Sequence, residues 1–246
     1  MGSKPSTKKS VSGWSGEISA AEARTNLAWL DRVRTPGVGV VHWVDAHDSW
    51  QWQDVGRKWV RERHGDAVAR AATAVCTLLG GPFMIFGGGE RGQETWLALL
   101  LALRRSHPVL AGGAHTVERT EVSSADVLPI YAWLGDRWLL ALINLAPKAQ
   151  EVRFQVPGVE SGPMHDLLDT GRECERLERG ASTVSLEPWG SAIVELAHYS
   201  QQLHPDTQME AAVAASPRSR PRQQTIAMPT TLGVPLREAQ RSARDA

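Results

Sequence analysis

Cysteine is scarce in this chain: Cys76 and Cys174 are the two present, and their wide separation supports neither a disulfide framework nor a zinc-ligand pattern. Both read as small buried hydrophobes. An excess of either charge is lacking too, because 27 basic and 27 acidic side chains balance to zero. That removes any global electrostatic case for a nucleic-acid or membrane partner. No apolar stretch approaches the ~20 uninterrupted residues that a spanning helix needs. Residues 1–12 are Ser- and Lys-rich without the apolar core of a secretory signal. The expectation is a cytoplasmic protein with no membrane segment. Aromatics are nearly missing from 197–246, where Tyr199 stands alone beside Pro205, Pro217, Pro221, Pro229 and Pro235. Such a stretch has too little apolar surface to offset its ordering entropy, so a disordered tail is expected over 198–246. Its basic cluster Arg218, Arg220 and Arg222 reads as solvated tail rather than a phosphate-binding site. A disordered start is expected over 1–17.

What is present is ordinary globular composition, 42% hydrophobic and 22% charged. Ser19 and Glu22 form a capping-box pattern, followed by Ala23, Leu27 and Leu30 at helical spacing and by Pro36-Gly37 as a stop. Residues 38–44 are valine-dense on both alternating faces, as in a parallel strand covered on both sides. Ala67, Val68, Ala71, Ala72, Val75, Leu78 and Leu79 predict a helix over 66–79, closed by Gly80-Gly81-Pro82. A short apolar run over 83–86 ends in three glycines, and 94–105 is again helical, with Leu97, Leu100, Leu101 and Arg104 in register. After Pro108 the period changes from 3.6 to 2. Runs at 128–134 and 137–145 flank Gly135-Asp136, a two-residue hairpin signal. Further runs at 151–156, 182–186 and 192–196 predict an antiparallel half closing as a small sandwich.

The segment Trp43-Val44-Asp45-Ala46-His47-Asp48 stands at the C-terminal end of the expected parallel strand, where active-site residues of α/β barrels emerge. It resembles the Phe-Val-X-Asn-His-Asp motif that ends barrel strand seven in the α-amylase family of glycoside hydrolases. Residues 71–92, AATAVCTLLGGPFMIFGGGERG, resemble that family's helix seven, Gly-X-Pro turn and strand eight. LLALRRSHPVL from Leu100 is similar to its last barrel helix, and YAWLGDRWLLALINLAP, HDLLDTG and LEPWGSAIVEL to the small antiparallel domain after the barrel. The resemblance covers roughly 20–196. Two departures are visible: Ala46 replaces the usual Asn, and Gly88-Gly89 precedes Glu90 where the family often has Gly-Asp-Glu.

The resemblance implies a fold made of the last strands and helices of an incomplete (β/α)8 barrel, over 18–112, followed by a small antiparallel β-sandwich over 113–197. It implies an α-glucan or maltooligosaccharide ligand, with Asp48 as transition-state stabiliser and His47 on the same sugar. Trp50, with Trp43 and Trp52, supplies aromatic faces for stacking on sugar rings. Read without the resemblance, Asp48 is an exposed strand-end carboxylate capping the next turn through Ser49, with His47 hydrogen-bonded nearby. Trp133, Trp138 and Trp189 belong to the core of the β half. Glu90 either faces the crevice or pairs with Arg91 or Arg57, and His107, beside Pro108, packs or caps a helix end.

Retaining glycosidases need two carboxyl groups about 5 to 5.5 Å apart, a nucleophile and an acid. Neither is identifiable here. In the family both lie upstream of the strand-seven motif, whereas 42 residues precede Trp43 and a whole barrel takes ~250. About six strands are expected to be absent. Glu17 reads as a first-turn helix carboxylate rather than the missing acid. The leading expectation is therefore an α-amylase-family fragment without turnover of its own. A second reading is a non-catalytic module that binds glucan or completes a barrel begun by another protein chain, and a third is a shortened gene product with no separate role. No cofactor and no metal site are expected.

Overall fold

A computed structural model describes residues 19–33, 40–46, 58–159, 161–168 and 177–196, all of them inside one compact unit. The first helix, α1 (Ala20–Val33), begins as its capping box dictates. The Ser19 hydroxyl accepts the Glu22 N–H at 3.2 Å, and the Glu22 carboxylate accepts the Ser19 N–H at 3.0 Å. Helices α2 (Val60–His64), α3 (Asp66–Leu78), α4 (Glu94–Ser106) and α5 (Pro108–Gly112) follow, then strands β1 (Ala114–Thr116) and β2 (Glu121–Val122). The remaining strands are β3 (Val127–Leu134), β4 (Arg137–Asn144), β5 (Gln150–Gln155), β6 (Met164–Asp166), β7 (Ala181–Leu186) and β8 (Ser191–Leu196). The result is a mixed structure of helices and antiparallel sheet. Among the described residues no helix is long and apolar enough to cross a membrane.

The expected hairpin forms between β3 and β4. Gly135 and Asp136 turn between Leu134 and Arg137, which pair directly, and Gly135 takes a φ of 59°. Such a left-handed φ is what a tight hairpin of this type requires. Two sheets result, a five-stranded one in the order β1-β3-β4-β8-β6 and a three-stranded one in the order β2-β5-β7. Every strand pairing within them is antiparallel.

Strand β3 is buried on both faces. Leu128, Ile130 and Ala132, with Leu139, Ala141, Ile143 and Ile193, meet Leu27, Ala74, Leu78, Leu100 and Val109 of the helices. The alternate residues Tyr131, Trp133, Trp138, Leu140 and Val194 meet Val152, Phe154, Val184 and Leu186 of the smaller sheet. Successive side chains on a strand point to opposite faces, so one run of apolar residues supplies two cores at once. Trp133 and Trp138 belong to the layer between the sheets, and Tyr131 stacks on one and meets the other edge-on. Trp189 is half-buried in the β7–β8 turn, at a φ of 57°, and packs against the helix-side cluster.

Of the parallel strand expected over 38–44, residues 38–39 lie outside the described residues, and over 40–44 it is reduced. Within 40–46, a single parallel bridge joins His42 to Phe83, through His42 N–H to Pro82 O at 2.9 Å and Met84 N–H to His42 O at 2.8 Å. Among the described residues neither segment has a second strand neighbour to extend a ladder, and Val41, Met84 and Ile85 stand about 40% exposed. Replacing the fully buried Ile130 by Ala should cost about 2–5 kcal/mol in urea unfolding, because it leaves a cavity where the central sheet packs on the helices. Trp29→Ala, at a 59% exposed site, should stay within about 0.5 kcal/mol.

Candidate functional site

The site is built on the ends of the two bridged segments, 40–46 and 83–86. Because they run in the same direction, their C-terminal ends lie side by side, the place where ligand sites form in α/β architectures. Helix α3 supports them from below. Its residues Ala69, Ala72 and Cys76 form a small cluster with Val44, Val60 and Phe83, and the Cys76 thiol donates to Trp43 O at 3.4 Å. Burial pushes that thiol up to about 12, so it is inert packing rather than a nucleophile. Cys174 lies outside the described residues.

Several polar contacts fix the segments. The His42 ring nitrogen Nε2 meets Gly80 O at 2.9 Å. Burial is the main influence on this imidazole and holds its pKa below the ordinary value. The Arg104 guanidinium donates to Thr77 O at 2.6 Å, to Leu79 O and to Gly81 O, satisfying carbonyls in the last turn of α3 and just beyond it with a cation at the helix C-terminus. At Gly81, φ is 101° and a Cβ would strike Val40 O, so glycine lets the exit from α3 approach segment 40–46.

After Phe86 the chain turns through 87–92 into α4. Gly88 has a φ of 101°, and a Cβ there would come within 2.8 Å of the Trp59 ring, which packs on Phe86 at a centroid distance of 5.5 Å. Gln93, 6% exposed, donates from its amide to Gly89 O at 3.1 Å, while its carbonyl accepts the Thr73 hydroxyl at 3.0 Å. Glu90 lines the crevice side of the turn and accepts the Gly88 N–H at 2.7 Å. Between the turn and the segments lies a cavity of about 20 Å³ lined by Val44, Asp45, Thr73, Phe86, Glu90 and Gln93. That volume holds about one water molecule and no sugar ring.

Asp45 is the functional-looking residue to which sequence reasoning gave no role. It is 5% exposed, and its Oδ1 accepts the Val60 N–H at 3.0 Å. Burial raises its pKa; the Val60 hydrogen bond and the charge of Arg63 oppose this, and Glu62 adds to it. A signal was present in the sequence, since a carboxylate lodged between Val44 and Ala46 in an apolar run needs a partner. His47, Asp48 and Trp50 lie outside the described residues, as do Ser49, Trp52, Arg57 and Glu17. Ala46, in place of the usual Asn, is buried. His107 begins α5 and sits 3.3 Å from the Glu195 carboxylate, which Arg137 also holds at 2.6 Å, so it is a packing residue remote from this crevice. Among the described residues no group of three or more His, Cys, Asp or Glu is arranged to hold a metal ion.

The sequence matches no family model and no curated protein. The fold does match solved structures. A maltogenic α-amylase from Thermotoga neapolitana aligns at 14% identity and a TM-score of 0.57, over 76% of this chain and 48% of that one. A cyclomaltodextrin glucanotransferase with a three-domain ABC distribution aligns at 14% identity and 0.56, over 75% and 42%. A debranching enzyme from Nostoc punctiforme, soaked with acarbose, aligns at 15% identity and 0.52, over 72% and 38%. The chain thus has an α-amylase-family fold, and it spans less than half the length of each of these enzymes.

The raised Asp45 pKa sets a pH dependence. The folded state holds the proton more tightly than the unfolded chain, so stability falls as pH rises from the ordinary aspartate value of 3.8 through the raised folded value. Asp45→Asn removes that loss while keeping an acceptor oxygen. In urea titrations at a series of pH values, the variant should gain on wild type as pH rises through this window; a constant difference would contradict the assignment.

Proposed function

We propose that these 246 residues form the C-terminal side of an α-glucan site, comprising the last units of an α-amylase-type barrel over 18–112 and a β-sandwich domain over 113–197. On this reading, 40–46 with α3 and 83–86 with α4 are the final strand and helix pairs. Asp48 and His47 hydrogen-bond one sugar, and Trp50 stacks beside them. The observation that carries the reading is the parallel bridge between His42 and Phe83, inside an α-amylase-family fold. It supports the reading because the described part of the motif, Trp43–Ala46, runs beside the Gly87–Gly89 turn, where an added Cβ on Gly89 would lie 3.5 Å from Asp45.

The parent chemistry is hydrolysis or transfer at α-glycosidic bonds. Contacts of the Asp48 kind lower the barrier only when a nucleophile and an acid are also present. These residues alone are therefore proposed to bind maltooligosaccharide without turning it over. A cytoplasmic setting is part of this reading. A second reading, a non-catalytic partner that completes a barrel with another protein chain, draws on the exposed Val41, Met84 and Ile85 at the bridged segments.

The test is reducing-sugar release from maltoheptaose, together with its binding, by wild type and by Asp48→Ala purified in parallel. The expected result is no release from either protein, and binding that Asp48→Ala weakens by about tenfold, the value of one good hydrogen bond to a charged group. Release by wild type that disappears in Asp48→Ala would overturn the inactive reading. Equal binding by both would remove Asp48 from the site.

A further inference from the structure

The chain leaves the first bridged segment at Ala46 and returns at Trp59, just before α2. Helix α2 starts without a cap oxygen of its own, since Trp59 occupies the N-cap position. Glu62 Oε2 accepts the Trp59 N–H at 3.0 Å. The next N–H, that of Val60, is one of the orphan donors that every helix start exposes. Its acceptor is Asp45 Oδ1, fifteen positions back and at 3.0 Å. Val44 and Val60 pack in the same small cluster, so apolar contact and hydrogen bond close the same gap.

The carboxylate also reaches the second segment. An added Cβ on Gly89 would lie 3.5 Å from both Asp45 Cβ and Oδ2, which places the turn after Phe86 directly against it. Three pieces of chain therefore meet at one buried carboxylate: the end of 40–46, the start of α2 and the turn 87–92. Arg63 and Glu62 from α2 act on the carboxylate through their charges, and Glu90 lines the same small cavity. A buried carboxylate is costly unless hydrogen-bonded, and a fold that needed only packing here would be served by an apolar side chain.

We propose that Asp45 is a positioning residue: by accepting the Val60 N–H it pins together the two ends of residues 46–59 and holds both against the Gly89 turn. This rests on the reading above, in which that stretch carries the sugar-contacting His47, Asp48 and Trp50. Asp45 acts through the backbone of Val60 and does not itself touch sugar.

In the wild-type chain, a trans-hydrogen-bond coupling between the Val60 nitrogen and the Asp45 carboxyl carbon detects the bond with no substitution, and its absence overturns the proposal. Amide exchange at Val60 and maltoheptaose affinity are then compared in wild type, Asp45→Asn, which keeps an acceptor, and Asp45→Leu, which keeps the volume without one. Asp45→Leu should exchange Val60 at least about tenfold faster and bind at least about tenfold more weakly, with Asp45→Asn within about threefold of wild type on both. Faster exchange with unchanged affinity overturns the positioning role, as does an Asp45→Asn defect equal to that of Asp45→Leu. If wild type binds no maltoheptaose, the glucan reading fails and takes the positioning role with it, while the coupling and exchange rates still report whether the carboxylate holds Val60.

Discussion

A sheet that must be buried on both faces governs this structure. Strands β3 and β4 are apolar at nearly every position, and such strands are stable only between two layers. One face receives the helices and the other the β2-β5-β7 sheet. Helix α3 inherits the same condition. Ala71, Ala74, Val75 and Leu78 turn to the central sheet, whereas Ala69, Ala72 and Cys76 turn to Val44 and Phe83. A helix buried nearly all round is a rigid spacer, and here it relays the position of the sheet to the two bridged segments.

Polar groups complete this arrangement where backbone would otherwise be left unpaired. Arg104 covers the carbonyls at the end of α3. Asn144, fully buried, donates to Lys148 O and Glu187 O and accepts from Ala146 and Gln150, tying the β4–β5 and β7–β8 turns together. His107 and Arg137 converge on Glu195 where the α4–α5 corner meets the sheet. Burial works against the Glu195 carboxylate, but the Arg137 hydrogen bond and the neighbouring charges outweigh it and lower its pKa. Buried polar groups of this kind cost little when fully partnered and much when half-partnered.

Much of this was legible in the sequence where local rules act alone. The Ser19–Glu22 box, the extents of α3 and α4, and the Gly135-Asp136 hairpin follow from capping, period and turn chemistry. The five short elements α2, α5, β1, β2 and β6 did not show, because runs of two to five residues are too brief for a period to register. Over 40–44 the valine pattern overstates the strand: it satisfies a strand's side-chain pattern, but a ladder also needs neighbours, and one bridge is what the described residues supply. The packing of the helices onto β3 and β4 was hidden too, since alternation reveals two faces without saying what covers each. At the site, the motif around Trp43 was visible, whereas the role of Asp45 depends on Val60, a partner that no local pattern connects to it.

The functional account comes down to whether sugar sits beyond the paired ends of the bridged segments. Chemical-shift mapping of the isotope-labelled chain with maltoheptaose tests this most directly. The account predicts perturbations concentrated at 43–50 and 86–93, with the β2-β5-β7 sheet silent. Perturbations confined to the sheets, or none at saturating sugar, would contradict it.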